Sequence, residues 1–214
     1  METVDSIFET LLNSEKLIAY GGITLLLIVI FAETGLFFGF FLPGDYLLFT
    51  AGILCGTDVL DVSIYSLTIL LIMAAILGDY TGYASGKYFG HKLFSRKDSL
   101  FFKKEYLLKT EAFFKRYGNV SLIIGRYFPI IRTFAPILAG SVNMDFKKFS
   151  LANISGGILW VVTLVPTGYY FGKNYPQVMD YLGYIILTFT ALTSIPLIKA
   201  LWSIIKTKRK KELL

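Results

Sequence analysis

Gly125-Arg126-Tyr127-Phe128-Pro129-Ile130-Ile131-Arg132 repeats Gly39-Phe40-Phe41-Leu42-Pro43-Gly44-Asp45-Tyr46 with the glycine and proline kept and the charges changed. The offset is constant, since 125 − 39 and 129 − 43 both give 86, and it also carries Thr81-Gly82-Tyr83 and Gly86-Lys87 onto Thr167-Gly168-Tyr169 and Gly172-Lys173. Glycine widens and proline narrows the allowed backbone, so their recurrence marks a duplicated backbone shape. At the same offset Glu33 and Asp45 fall on Asn119 and Ile131, whereas Arg126 and Arg132 fall back on Phe40 and Tyr46. One scaffold, used twice, therefore carries an acidic half-site and a basic half-site.

The 214 residues are 55% hydrophobic and 16% aromatic, too apolar for an ordinary soluble domain, and this predicts an all-α polytopic membrane protein forming a single membrane domain. The first sixteen residues carry Glu2, Asp5, Glu9 and Glu15 against Lys16, which argues against a cleavable signal peptide. Cys55 and His91 are each single, so the sequence calls for no internal disulfide, no metal and no cofactor, and His91 reads as a solvated residue in a basic loop. The net charge of +6 is concentrated between Lys87 and Arg116 and again from Lys206 to Lys211. Both clusters flank hydrophobic spans, so cytoplasmic anchoring with contacts to anionic membrane lipids explains them without a nucleic-acid partner.

If both basic clusters face the cytoplasm, an even number of crossings separates them. Apolar runs near 149–171 and 181–202 supply two, each of roughly 20 residues. The stretch 119–140 must then enter and leave on one side; it is interrupted by Pro129 and Pro136, which suits a re-entrant helical hairpin. In the first copy a span near 17–31, a hairpin around Pro43 and a span near 62–82 give the mirror image, with Asp58 and Asp61 at the outer exit. The expectation is an inverted-topology repeat: two opposing hairpins, built on Gly39, Pro43 and Gly44 and on Gly125, Pro129 and Pro136, and about four full transmembrane helices. Repeat one covers about 17–90 and repeat two about 118–175. A cytoplasmic basic loop with an amphipathic segment fills about 91–117, and a final helix at about 180–203 leads into a basic tail at 204–214. Gly78, Gly82, Gly86 and Gly90 share one helix face and read as a packing stripe.

Charges in apolar surroundings mark the chemistry, because an ionised side chain near the bilayer centre costs about 2.5–3.5 kcal/mol on insertion scales. Arg126 and Arg132 stand three residues either side of Pro129, so a bend there brings two guanidinium forks toward one point, an arrangement suited to phosphate. Snorkelling of Arg126 to the interface is the competing reading. Glu33 and Asp45 flank Pro43 in the other hairpin, and they serve either as proton-exchanging groups or as counter-charges to the arginines. Asp79, beside the glycine stripe, is a secondary candidate. No residue is expected to be catalytic.

The runs from Glu33 to Asp45, from Gly78 to Gly90 and from Gly125 to Gly140 resemble the DedA family of bacterial inner-membrane proteins. The resemblance implies the VTT (SNARE-associated) domain, paired re-entrant hairpins, a multi-pass place in the bacterial cytoplasmic membrane with a cytoplasmic C-terminus, and dependence on the proton motive force. It also implies that Glu33 with Asp45 and Arg126 with Arg132 are the family's essential acidic and basic pairs. The function expected is a flippase moving undecaprenyl phosphate, or a similar phosphate-headed polyprenyl lipid, to the cytoplasmic leaflet. A proton-coupled small-ion or drug transporter and a membrane lipid-phosphate phosphatase are the rival readings, and the sequence leaves room for a homo-oligomer.

Overall fold

Proline lacks the donor that a helix interior needs but suits a first turn, and Pro129 opens a helix here. The computed structural model describes residues 14–37, 39, 42, 44–95, 119–127, 129–175, 177 and 184. Its helices are α1 (Ser14–Gly35), α2 (Gly44–Leu54), α3 (Ile64–Ser95), α4 (Asn119–Gly125), α5 (Pro129–Ser141) and α6 (Phe146–Asn174). A kink divides α1 at Gly22, whose φ of 55° is open to glycine and strained for other residues. Pro43, the amphipathic segment within 103–117, all of 180–203 except Tyr184, and the tail at 204–214 lie outside the described residues.

Adding 86 to the bounds of α2, 44–54, gives 130–140, which falls inside α5. The packing follows the same correspondence. The short helix of each copy packs chiefly on the long helix of the other: α5 on α3, and α2 on α6. Glycines permit both crossings. A Cβ at Gly86 would meet the carbonyl of Ile137, and one at its repeat mate Gly172 would meet the carbonyl of Ile53, so each backbone runs directly against its neighbour. The stripe at Gly78, Gly82 and Gly86 thus packs against α1 and α5.

Two helices, Ile64–Phe89 within α3 and Phe146–Asn174, are long and apolar enough to cross a membrane. Their outward faces are apolar, with Ile69, Met73 and Leu77 exposed on α3 and Leu151, Ile154, Ile158 and Val162 on α6, as lipid contact requires. The α3 helix runs past the expected end of its span, so His91 belongs to a helix and not to a loop; α5 packs along the glycine stripe as far as Lys87. Two apolar clusters form the interior. One joins α1, α2 and the first half of α3 to Trp160, Val161 and Val165 of α6. The other joins Tyr83 of α3 to Leu122, Ala135, Ala139, Phe149 and Ala152. The buried charges lie where α3 and α6 pass from one cluster to the other.

Candidate functional site

Arg132 sits in the first turn of α5, three residues after the proline that starts it. Its Nη1 donates to Asp45 Oδ1 at 2.6 Å, and its Nη2 pairs with Glu33 Oε1. Glu33 lies near the end of α1 and Asp45 in the first turn of α2, so one guanidinium ties three helices together. Glu33 Oε1 also accepts the Gly44 backbone N–H at 3.1 Å, which places a carboxyl at the α2 N-terminus, where the unpaired amides favour it. Glycine at position 44 lets the carboxyl come this close, because a Cβ there would overlap Glu33 Oε2 and displace it. Thr133 Oγ1 donates to the Glu33 carbonyl at 3.2 Å and fixes the end of α1 against α5.

Trp160 of α6 completes this half. Its Nε1 donates to Asp45 Oδ1 at 2.8 Å, and the Arg132 Cζ stands 4.4 Å from the ring centroid, within cation–π range.

Arg126 follows the end of α4 and is wired differently. Its Nη2 pairs with Asp79 Oδ2 on α3 and donates to Asn153 Oδ1 on α6 at 2.8 Å. Asn153 in turn donates from Nδ2 to the Ile76 carbonyl at 3.2 Å. Gly156 and Gly157 open the α6 surface for this side chain; a Cβ at Gly157 would lie 3.0 Å from Arg126 Nη1. With Arg126 only 4% exposed, the snorkelling reading is set aside.

Both guanidiniums line one narrow cavity, with Asp79 and Asn153 on its polar side and Leu122, Pro136 and Phe149 on its apolar side. Arg126 Nη1, Arg132 Nε, Asp79 Oδ1 and Glu33 Oε2 are buried without a hydrogen-bond partner among the described residues. Buried polar atoms are normally paired, so an unengaged guanidinium nitrogen on each of two arginines that line one cavity is a notable departure. Among the described residues no group of three His, Cys, Asp or Glu side chains could hold a metal ion.

The structure thus brings Glu33, Asp45 and Arg132 into one cluster and Asp79 and Arg126 into a second, adjoining one. Gly39 lies buried in the turn after α1, where a Cβ would meet the carbonyls of Ala32 and Glu33; Gly125 closes α4 and Pro136 is within α5. Sequence reasoning passed over Asn153, Gly157 and Trp160. The available signal was their spacing on α6, since 153 and 160 are seven residues apart and share a helix face.

Residues 42–170 match the VTT domain. The chain is 37% identical to protein DedA of Escherichia coli (strain K12) over 196 residues, which cover 90% of this chain and 89% of that protein. The chain belongs to the DedA family. Other DedA-related proteins are an uncharacterized membrane protein of Mycobacterium tuberculosis, 37% identical over 86% of this chain and 80% of its own length, and the inner membrane protein YqjA of Escherichia coli (strain K12), 32% identical over 78% and 74%. No solved structure matches the chain. Like these DedA relatives it is a membrane protein, and α3 and α6 supply apolar helices of spanning length.

Proposed function

We propose that this protein moves a phosphate-headed polyprenyl lipid, with undecaprenyl phosphate the candidate substrate, to the cytoplasmic leaflet of a bacterial cytoplasmic membrane, and that protons exchange at the buried carboxyls as it does so. The observation that carries this reading is the pair of unengaged donors, Arg126 Nη1 and Arg132 Nε, beside one cavity. Planar guanidinium forks match phosphate oxygens better than ammonium groups do. The cavity has room for about one water molecule, so a phosphate enters only as Arg132 turns away from its carboxylates.

Charge counting supports the proton role. Glu33, Asp45 and Asp79 face Arg126 and Arg132, so the fully ionised cluster carries one negative charge in excess. Such a charge is costly in an apolar interior. One bound proton neutralises the cluster, and further protons make it attractive to an anion. By linkage, phosphate binding and proton binding then favour each other.

The inverted-topology arrangement belongs to the same proposal. The α2 helix has 11 residues and α5 has 13, rising about 16 and 20 Å at 1.5 Å per residue, short of the roughly 30 Å hydrocarbon core. Re-entry from opposite faces suits such lengths, and broken helices meeting at midplane are a transporter design. The phosphatase reading requires a nucleophile beside the arginines, and Asp79, the carboxyl lining the cavity, is committed to Arg126. We therefore propose a transporter and not an enzyme. A cation transporter is disfavoured because all three carboxyls already hold guanidinium groups.

The test is calorimetric binding of a prenyl monophosphate to the detergent-solubilised protein between about pH 7 and 9, above the second ionisation of a phosphate monoester near 6. Affinity should rise as pH falls, with net proton uptake. Binding that releases protons, or no binding at all, contradicts the proposal.

A further inference from the structure

We propose that Trp160 is a positioning residue for Arg132, the surface across which this arginine exchanges a carboxylate for a phosphate. The inference rests on the phosphate-lipid reading above. Trp160 is fully buried on α6, and its repeat counterpart, 160 − 86 = 74, is Ala74, so the site has one such plate and not a symmetric pair. Two features of its geometry matter. Asp45 Oδ1 accepts from both Arg132 Nη1, at 2.6 Å, and Trp160 Nε1, at 2.8 Å. When the arginine turns to another anion, this oxygen keeps a donor, and an indole N–H is a donor that never loses its proton to the carboxyl. A buried carboxylate stripped of every donor is much costlier than one that keeps a hydrogen bond.

The second feature is the ring face. The Arg132 Cζ lies 4.4 Å from the indole centroid, and the Arg126 Cζ lies 5.9 Å from the same ring. A guanidinium attracted to a π face can turn in its own plane without leaving it. The plate therefore lets Arg132 redirect its donors toward the cavity while the charge stays where it is.

Three measurements test this. The chain has two tryptophans, so Trp202→Phe leaves Trp160 as the reporter. Titration of this variant with a prenyl monophosphate in detergent micelles should shift the indole emission at the midpoint that calorimetry gives for binding. Trp160→Phe keeps a ring but removes the N–H, and it should weaken binding about tenfold, the order associated with a hydrogen bond to a charged group. The same substitution in an Asp45→Asn background should change affinity by less than about threefold, because two residues acting through one bond are not additive. An equal loss in both backgrounds would mean that Trp160 is packing alone and would overturn the proposal. Unchanged emission alongside calorimetric binding would overturn it too, and this arm stands even where Trp160→Phe fails to fold. Absence of any binding to the wild type would instead overturn the phosphate reading on which this inference depends.

Discussion

Arg126 is held by one carboxylate, Asp79 of α3, and one amide, Asn153 of α6, whereas Arg132, six residues on, is shared by Glu33 of α1 and Asp45 of α2 and lies on the Trp160 ring. The first arrangement is the more firmly anchored, because its single ion pair is tied to α6 and, through Asn153, to the α3 backbone at Ile76, with Arg126 Nη1 left as its unengaged donor among the described residues. The second has acceptors to spare: one guanidinium faces two carboxyls, and one of those has an indole donor as well. Two buried arginines on one backbone motif can therefore do different work. Arg126 anchors the end of α4 to both long helices, and in the proposed cycle Arg132 is the group that changes partner.

The largest effect should separate the two carboxyls. Asp79→Ala leaves Arg126 buried without its counter-charge, and breaking a buried pair in this way costs about 3–5 kcal/mol. Asp45→Ala leaves Arg132 its pairing with Glu33 but removes the shared acceptor of Arg132 Nη1 and Trp160 Nε1, and should cost less, about 1.5–3 kcal/mol, the worth of a hydrogen bond to a charged group. Denaturant unfolding of both variants in one detergent checks this. Equal losses, or a greater loss at Asp45, would break the comparison.

Conservative charge swaps sharpen it on the binding side. Arg132→Lys keeps the charge but loses the fork that spans Glu33 and Asp45, so prenyl monophosphate affinity should fall about tenfold or more while the protein folds. Arg126→Lys should lower affinity as well and should also lower stability, since a lysine cannot reproduce the pairing to Asp79 and Asn153. Calorimetry and thermal unfolding of the two variants separate these outcomes; unchanged affinity in both removes the anion site.

Only part of this division was legible in the sequence. The 86-residue offset and the unlike charges at its matched positions bring out Glu33, Asp45, Arg126 and Arg132, because an ionised residue in an apolar run is conspicuous wherever it points. Asp79 is equally visible, but its pairing with Arg126 depends on how α4 approaches α3 and α6, which no spacing within α3 specifies. Asn153 and Trp160 are quieter still. Neither is charged, and in a span as apolar as α6 each reads as ordinary until the helix faces toward α2, α3 and α4 are known. Gly157 looks like one more small residue for helix packing, although its neighbour is a guanidinium.

A smaller effect is expected at Gly157. An added methyl would stand 3.0 Å from Arg126 Nη1 and 3.1 Å from Ile76 Cγ1, so Gly157→Ala should cost about 1 kcal/mol, the low end of overpacking. Its binding loss should resemble that of Arg126→Lys in kind and be milder. A stability loss as large as that of Asp79→Ala would mean that the two halves are not separable.

Leaflet exchange tests the central claim most directly. Purified protein in liposomes, supplied with a labelled prenyl monophosphate and a leaflet-specific readout, should move the lipid between leaflets, faster under an imposed pH gradient than without one. Glu33→Gln and Asp45→Asn should remove the gradient dependence while the proteins still incorporate. Wild-type liposomes that exchange no phosphate-headed lipid under either condition would contradict the account.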